Sequence, residues 1–366
     1  MENNLKLVCF EGCKEFGKKV EKHLQRILNT DEELIIPINE VKFNNGEGKV
    51  QIQKTVRKQE IFLLSDPENH SITYKMYGYT NHKSPDDHFM DVIRSLSAIR
   101  NQANSVSLIM PFLYSSRQHK RDGRESLDCA VALQLLVDMG VKNIITFDVH
   151  DSNVQNAIPC SSFDNFYPTN IILENFVENE DLKSEKLLAV SPDSGAIKRT
   201  NFYANMLGCQ LGGHFEKERD LYHVVDGKNP ILRHDYIGRD VNGMDVIIVD
   251  DMIASGESMI DVARELKKRG ANRIYLMSAY CLFTKGIDVF QNAYDEGLFD
   301  RLYTTNLSYV MEEALGRPWI VQCDCSEYVA KIIHTFYIGG SVAPILDAKS
   351  PKLKAFAEEG YKRLSK

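Results

Sequence analysis

Residues 246–258 carry the most specific chemical pattern in the sequence, an apolar run that ends in two acids and continues into a turn of small residues. Carboxylates at a strand end, here Asp250 and Asp251, can accept hydrogen bonds from vicinal sugar hydroxyls. A Ser/Gly turn that opens a helix presents backbone N–H groups to a phosphate. The stretch therefore predicts a sugar-phosphate pocket. The alternative is a metal-binding acid pair followed by an ordinary capping box, although the sequence contains no G-x-x-x-x-G-K-[ST] P-loop.

A basic segment supplies a second candidate site. Four permanent cations, Arg117, Lys120, Arg121 and Arg124, lie within eight residues and follow the apolar run 106–110. Ligands of parallel α/β proteins bind in loops at the carboxyl ends of strands, so this position favours an anion-binding loop. A solvated charged loop is the alternative.

Asp148 and His150 follow another apolar run and are two residues apart. On an extended chain this spacing places both side chains on one face, where they can converge on a ligand. A lone histidine more often forms a structural hydrogen bond, so the spacing alone leaves both interpretations open.

Lys217 and Arg219 alternate with acids after the glycine pair 212–213, which would suit a mobile flap. Phosphoryl-type transfer requires positioning of the reactants and neutralisation of negative charge, which a Lys and an Arg on a closing loop could provide. A solvated charge cluster is the alternative interpretation of this spacing.

The elements that must position these residues follow an α/β order. Continuous apolar runs alternate with helical patterns, which is typical of strands buried on both faces of a parallel sheet. The predicted strands are Leu5–Phe10, Ile61–Leu64, Val106–Met110, Asn143–Phe147, Leu187–Val190, Asp245–Val249, Arg273–Met277 and Trp319–Val321. The clearest predicted helices are Glu125–Met139 and Ser258–Arg269, each ending at a glycine. Because 143–151 resembles 245–256, we expect two similar α/β domains, 1–165 and 166–320.

Composition narrows the class of protein. The 366 residues are 43% hydrophobic and 26% charged, and 44 Lys+Arg against 51 Asp+Glu give a net charge of −7. We therefore expect no general affinity for nucleic acid or an anionic membrane. No apolar run is long enough to span a bilayer and the start lacks a signal pattern, which predicts a cytoplasmic protein. The eight cysteines are scattered and are expected to be reduced thiols.

Residues 246–258 resemble the phosphoribosyl pyrophosphate binding loop of the type I phosphoribosyltransferase fold. Further segments, in the right order, resemble one branch of that fold, the ribose-phosphate pyrophosphokinases (phosphoribosyl pyrophosphate synthetases). These segments are 43–47 (FNNGE), 115–122 (SSRQHKRD), 148–150 (DVH), 190–199 (VSPDSGAIKR) and 217–219 (KER). The resemblance covers roughly residues 5 to 346 and implies two phosphoribosyltransferase-like domains, each with a mostly parallel sheet flanked by helices.

The resemblance also implies an activity: transfer of the pyrophosphoryl group of ATP to ribose 5-phosphate with Mg²⁺. It implies a homo-oligomer, a dimer or a hexamer, whose ATP sites are shared between subunits. The implied catalytic residues are Lys217 and Arg219, and the implied magnesium contacts are His150 and Asp193. The implied ATP-binding residues are Phe43, Asn45, Glu47, Arg117, Gln118 and Asp122. The implied residues for ribose 5-phosphate are Arg219, Asp250, Asp251, Ala254, Ser255, Gly256, Glu257 and Ser258.

The chain departs from the family pattern at the phosphate loop. The family usually has an acid where Ala254 stands, a small residue at Glu257 and Thr at Ser258, so Glu257 adds negative charge where the 5-phosphate should bind. Segments 66–89 and 221–238 look expanded. Residues 321–366 are expected to pack back on the N-terminal domain, with an added helical tail. Two alternatives remain: a phosphoribosyltransferase that uses the same loop, and a catalytically silent regulatory paralogue.

Overall fold

The computed structural model describes residues 4–219 and 231–365, and the side chains at 217–219 and 231–234 lie outside the description. The chain divides into two units, each assembled from three segments. The first unit contains Met1–Pro168, Asn306–Tyr309 and Asp324–Ala348. The second contains Thr169–Thr305, Val310–Cys323 and Lys349–Lys366.

Strands and helices alternate through most of the described chain. The strands are β1 (Leu5–Cys9), β2 (Ile38–Lys42), β3 (Gly48–Ile52), β4 (Glu60–Leu64), β5 (Thr73–Met76), β6 (Tyr79–His82), β7 (Ser105–Ile109), β8 (Asn143–Phe147), β9 (Ser162–Phe166), β10 (Leu187–Ser191), β11 (Gln210–Arg219), β12 (Ile231–Gly238), β13 (Asp245–Ile253), β14 (Ile274–Cys281), β15 (Arg301–Thr305) and β16 (Ile320–Cys323). The helices are α1 (Lys14–Leu28), α2 (Pro85–Ile99), α3 (Asp128–Asp138), α4 (Thr169–Asn179), α5 (Ile197–Leu207), α6 (Glu257–Lys268), α7 (Asp288–Asp295), α8 (Glu312–Leu315), α9 (Ser326–Ile338), α10 (Ala343–Leu346) and α11 (Pro351–Leu364).

The first unit is built on a five-stranded parallel sheet in the order β1-β4-β7-β8-β9. Four of its strands, β1, β4, β7 and β8, are almost fully buried, whereas the edge strand β9 is mostly half-buried. Two antiparallel hairpins, β2–β3 and β5–β6, are added to this sheet domain. The second hairpin and the capped start of α2 lie within segment 66–89.

The second unit contains a seven-stranded sheet in the order β12-β11-β10-β13-β14-β15-β16. All neighbouring strands are parallel except β11 and β12, which pair in antiparallel fashion at one edge. Two buried apolar clusters lie in this unit, and the central strand β13 contributes side chains to both. The predicted fold class, two α/β domains with mostly parallel sheets flanked by helices, is confirmed.

Several predicted boundaries are displaced. Helix α3 begins at Asp128 and not at Glu125, whose carboxylate instead accepts a hydrogen bond from the backbone N–H of Asp122 at 3.2 Å. Strand β13 extends to Ile253, so Asp250 and Asp251 lie within the strand and not after it. The pairing with β14, which continues to Cys281, explains the extra length.

The carboxyl-terminal segment is divided between the units. Helix α9 packs against α1 within the first unit. Helix α11 belongs to the second unit, where the N-cap residue Ser350 donates its N–H to Glu174 and the last turn of the helix pairs Arg363 with Glu185. In the described part of the chain, no helix combines the length and the apolar content needed to cross a bilayer.

Candidate functional site

The predicted phosphate loop is a tight connection between β13 and α6. Gly256 precedes the helix with a φ of +82°, a left-handed conformation that favours glycine. A Cβ built there would lie 2.2 Å from the ring of Phe290, so the position has no room for a side chain. The first backbone N–H groups of α6 have no intrahelical partners, as at any helix start. The turn can therefore present these donors to an anion.

The two acids of β13 have different environments. Asp251 is buried, and its backbone N–H donates to the carboxylate of Asp250 at 2.9 Å. Burial, together with the charge of Asp251, raises the pKa of Asp250 well above its ordinary value, and the nearby Arg199 opposes this rise. A ligand that brings hydroxyl donors or positive charge would stabilise the ionised pair.

Asp193 lies at the end of the neighbouring strand β10, just before α5. Its Oδ1 accepts the backbone N–H groups of Gly195 at 2.9 Å and Ala196 at 3.1 Å, which fixes the carboxylate at this sheet edge. Its charge also raises the pKa of Asp250. Within the second unit, the structure therefore brings Asp193, the acid pair and the phosphate loop together at the carboxyl ends of β10 and β13.

Glu257, one of the three departures noted in the sequence of this loop, has a paired carboxylate. Its Oε1 lies 2.7 Å from Nζ of Lys285, which belongs to the loop after β14. The hydroxyl of Ser255 donates to its Oε2 at 3.3 Å. Sequence reasoning missed Lys285, because no motif near residue 285 indicates this contact.

The basic loop follows β7 in the first unit. It begins with Ser115 at a φ of +54°, whose carbonyl accepts the N–H of Gln118 at 2.8 Å. The side chains of Arg117, Gln118 and Asp122 are exposed, as a ligand-binding loop requires. Burial raises the pKa of Glu68 to about 7, and the positive charge of Arg117 opposes this rise.

His150 is exposed and follows β8, but Asp148 is buried, with a φ of +42°. The expectation that both share one face of a strand is wrong, because β8 ends at Phe147 and strand alternation stops there. The ring of His150 lies 5.4 Å from that of His119, whose Nε2 is 3.4 Å from Oδ2 of Asp151. The His119 Nδ1 is buried without a hydrogen-bond partner. Neither His119 nor Asp151 was singled out from the sequence.

The FNNGE segment is the turn of the β2–β3 hairpin. The N–H of Phe43 donates to Glu47 O, and Gly46 N–H donates to Phe43 O, both at 2.8 Å. The Asn45 amide donates to the Glu47 carboxylate at 2.9 Å, and Phe43 remains 45% exposed. The turn is therefore closed internally while its aromatic ring stays accessible.

Lys217 and Arg219 lie on β11, where their backbones pair with His234 and Ile231 of β12. Their side chains lie outside the described residues. In the described part of the chain, no group of three or more His, Cys, Asp or Glu residues is arranged to hold a metal ion.

The parallel sheets and the acid-turn-helix loop at β13 define a protein built from two phosphoribosyltransferase-like domains. Residues 5–140 match the family model for the N-terminal domain of ribose phosphate pyrophosphokinase, and residues 172–298 match the model for the phosphoribosyl transferase domain. Together these matches cover well over half of the chain. The chain belongs to the ribose-phosphate pyrophosphokinase family, as the sequence motifs predicted.

Individual relatives agree with this assignment. The chain is 24% identical over 318 residues to a ribose-phosphate pyrophosphokinase of Synechococcus elongatus, covering 86% of each chain. It is 26% identical to that of Vibrio cholerae, covering 80% of this chain and 85% of the other. The crystal structure of phosphoribosylpyrophosphate synthetase from Mycobacterium smegmatis has the same fold, with a TM-score of 0.76 and 21% identity over 92% of this chain and all of the other.

Proposed function

We propose that this protein is a ribose-phosphate pyrophosphokinase that converts ATP and ribose 5-phosphate into 5-phosphoribosyl 1-pyrophosphate and AMP. The observation that carries the proposal is the match of residues 5–140 to the N-terminal domain of that family. The phosphate loop alone would equally suit a phosphoribosyltransferase. The additional N-terminal domain supplies a basic loop and an exposed aromatic turn, both of which can contact a nucleoside triphosphate.

Ribose 5-phosphate would bind at the carboxyl end of β13. Asp250 and Asp251 would accept hydrogen bonds from the ribose hydroxyls, which would stabilise the ionised carboxylates and so oppose the burial and the Asp251 charge that raise the Asp250 pKa. The turn 254–258 would bind the 5-phosphate through backbone N–H groups at the start of α6. This division matches polar hydroxyls to carboxylates and the anion to the helix N-terminus.

ATP would be held by the basic loop and by the aromatic turn of the first unit. Arg117 and Gln118 would contact the nucleotide, with Asp122 in the same loop. Phe43, Asn45 and Glu47 would reach the adenine of a neighbouring subunit, so we propose a homo-oligomer with shared ATP sites. The exposed ring of Phe43 supports stacking on a base.

Mg²⁺ would accompany the nucleotide phosphates, with His150 and Asp193 as protein contacts. The carboxylate of Asp193 fits a hard divalent cation, which prefers oxygen ligands and retains several waters. The imidazole of His150 would then contact the ion through water or lie against the phosphate oxygens. When bound, the cation would neutralise charge on the phosphate oxygens.

In the reaction, the C1 hydroxyl oxygen of ribose 5-phosphate forms a bond to the β-phosphorus of ATP. The bond from this phosphorus to the bridging oxygen breaks, AMP leaves with that oxygen and the bonding electrons, and the hydroxyl proton is released to solvent. Lys217 and Arg219 would neutralise the charge that spreads over the transferring group. Both residues lie on β11, which pairs with β12 at one edge of the sheet.

The test is AMP formation from ATP, Mg²⁺ and ribose 5-phosphate, with a reaction lacking the sugar as control. We expect sugar-dependent AMP, and Lys217→Ala should lower kcat at least about a hundredfold with little change in ATP binding. Lys268→Ala, a change at an exposed lysine of α6, is the matched control and should retain full turnover. ATP binding without sugar-dependent AMP would contradict the proposal and favour a regulatory paralogue.

A further inference from the structure

Glu257 creates an electrostatic problem at the proposed phosphate loop. It is the first residue of α6, and its carboxylate belongs to the same turn whose backbone N–H groups would bind the 5-phosphate. A carboxylate favours a helix N-terminus, but it repels a phosphate that approaches the same donors. The loop therefore needs a compensating charge to bind an anionic sugar.

Lys285 is placed to provide that charge. Its Nζ lies 2.7 Å from Oε1 of Glu257, and the two side chains are 52% and 49% exposed. Exposed ion pairs of this kind contribute little to folding stability. Stabilisation of the fold therefore does not account for a lysine at this position.

The backbone fixes the lysine beside the loop. The N–H of Leu282 donates to Ile253 O at 2.8 Å, and the N–H of Thr284 donates to Ala254 O at 2.9 Å. Phe283 is buried and packs edge-on against Phe290, the ring that closes over the loop glycine. The segment that carries Lys285 is thus held against the phosphate turn by two backbone hydrogen bonds and a buried aromatic contact.

We propose that Lys285 is a specificity-determining residue of the sugar-phosphate site, which neutralises Glu257 and so allows the 254–258 turn to bind a phosphate monoester. The inference rests on the proposed function for the identity of that monoester, ribose 5-phosphate. It assigns a compensating partner to Glu257, one of the residues at which this chain departs from the family pattern. No covalent step is involved, because Lys285 acts through the charge of Glu257.

A double-mutant cycle tests the pairing. Lys285→Met removes the charge at similar length, and we expect it to raise KM for ribose 5-phosphate about tenfold while kcat and KM for ATP stay within about twofold. Glu257→Gln should lower this KM or leave it unchanged. The double variant should return to within about threefold of the wild type, since both charges are absent.

Three controls separate this role from a structural one. Lys285→Arg keeps the charge and should keep KM for ribose 5-phosphate near the wild-type value. Lys268→Met removes the lysine that pairs with Glu265 on the same helix, and it should have no effect. The loss in Lys285→Met should also shrink as salt is raised, because the pair is half exposed.

Two results would overturn the inference: an unchanged KM in Lys285→Met, or a double variant as impaired as Lys285→Met alone. Calorimetric binding of ribose 5-phosphate repeats the cycle without turnover. If the wild type produces no AMP but the binding cycle shows the same coupling, the proposed reaction fails and the role of Lys285 stands. If AMP forms and the coupling is absent in both assays, the reaction stands and the role of Lys285 fails.

Discussion

Gly256→Ala should destabilise the second unit through two separable costs. The φ of +82° would place an alanine in the left-handed region, which costs about 1–2 kcal/mol. The new Cβ would also lie 2.2 Å from the Phe290 ring, and forcing extra volume into a packed core costs about 1–3 kcal/mol. We therefore expect a loss of about 2–5 kcal/mol in the free energy of unfolding.

Gly286→Ala is the matched control. Gly286 also has a positive φ, +79°, but a Cβ there would meet nothing within 4 Å. This variant carries the backbone cost alone, so its difference from Gly256→Ala isolates the clash with Phe290. That difference should be about 1–3 kcal/mol.

Trp319 makes the measurement specific to this unit. It is the single tryptophan of the chain, it is fully buried, and its ring stacks on Phe290 with centroids 5.9 Å apart. Urea unfolding followed by its fluorescence therefore reports on the packing that the substitution disturbs. Calorimetry without urea should also show that Gly256→Ala binds ribose 5-phosphate more weakly than the wild type.

Equal unfolding free energies for the two glycine variants would refute the reasoning. That result would mean that Phe290 moves aside at no cost and that the loop does not need its glycine for space. Normal binding of ribose 5-phosphate by Gly256→Ala would separately contradict a phosphate site in this turn.

Three further changes test other parts of the molecule. Tyr77 is exposed in the two-residue turn after β5 and has a φ of +48°, a conformation that asparagine tolerates better than tyrosine. Tyr77→Asn should therefore raise the thermal unfolding midpoint. A lower midpoint would show that the tyrosine side chain contributes packing. Burial raises the pKa of Asp66 to about 6 from 3.8, so the folded protein retains a proton that the unfolded chain loses, and the contribution of Asp66 to stability should fall between about pH 4 and 6. Asp66→Asn should remove roughly 3 kcal/mol of this pH dependence, measured by urea unfolding followed by circular dichroism, and an unchanged slope would contradict the assignment. Gly360→Ala should weaken the packing of α11, because the new Cβ would lie 2.1 Å from the carbonyl oxygen of Gly208. We expect faster hydrogen exchange over residues 351–364. Unchanged exchange would mean that the contact between residues 208 and 360 relaxes at no cost.

The sheet strands were easier to predict than the hairpins. Strands such as β8 are continuous apolar runs, and the predicted range Asn143–Phe147 agrees with the structure. The strands β3 and β5 alternate half-buried and exposed residues and contain few apolar ones, so neither produced an apolar run. Helix α3 began later than predicted because a loop contact, which periodicity does not reveal, holds Glu125 outside the helix.

The sequence by itself determined the α/β class, the acid-turn-helix loop and the family, because these depend on short patterns: apolar runs, strand-end acids and a glycine before a helix. Only the tertiary structure decided which distant side chains meet. Lys285 pairs with Glu257 across 28 residues because β13 and β14 are neighbours, which brings the turns that follow them together. His119 meets Asp151 for the same reason, since β7 and β8 are adjacent. Strand order sets such contacts, and strand order arises from the packing of the whole domain.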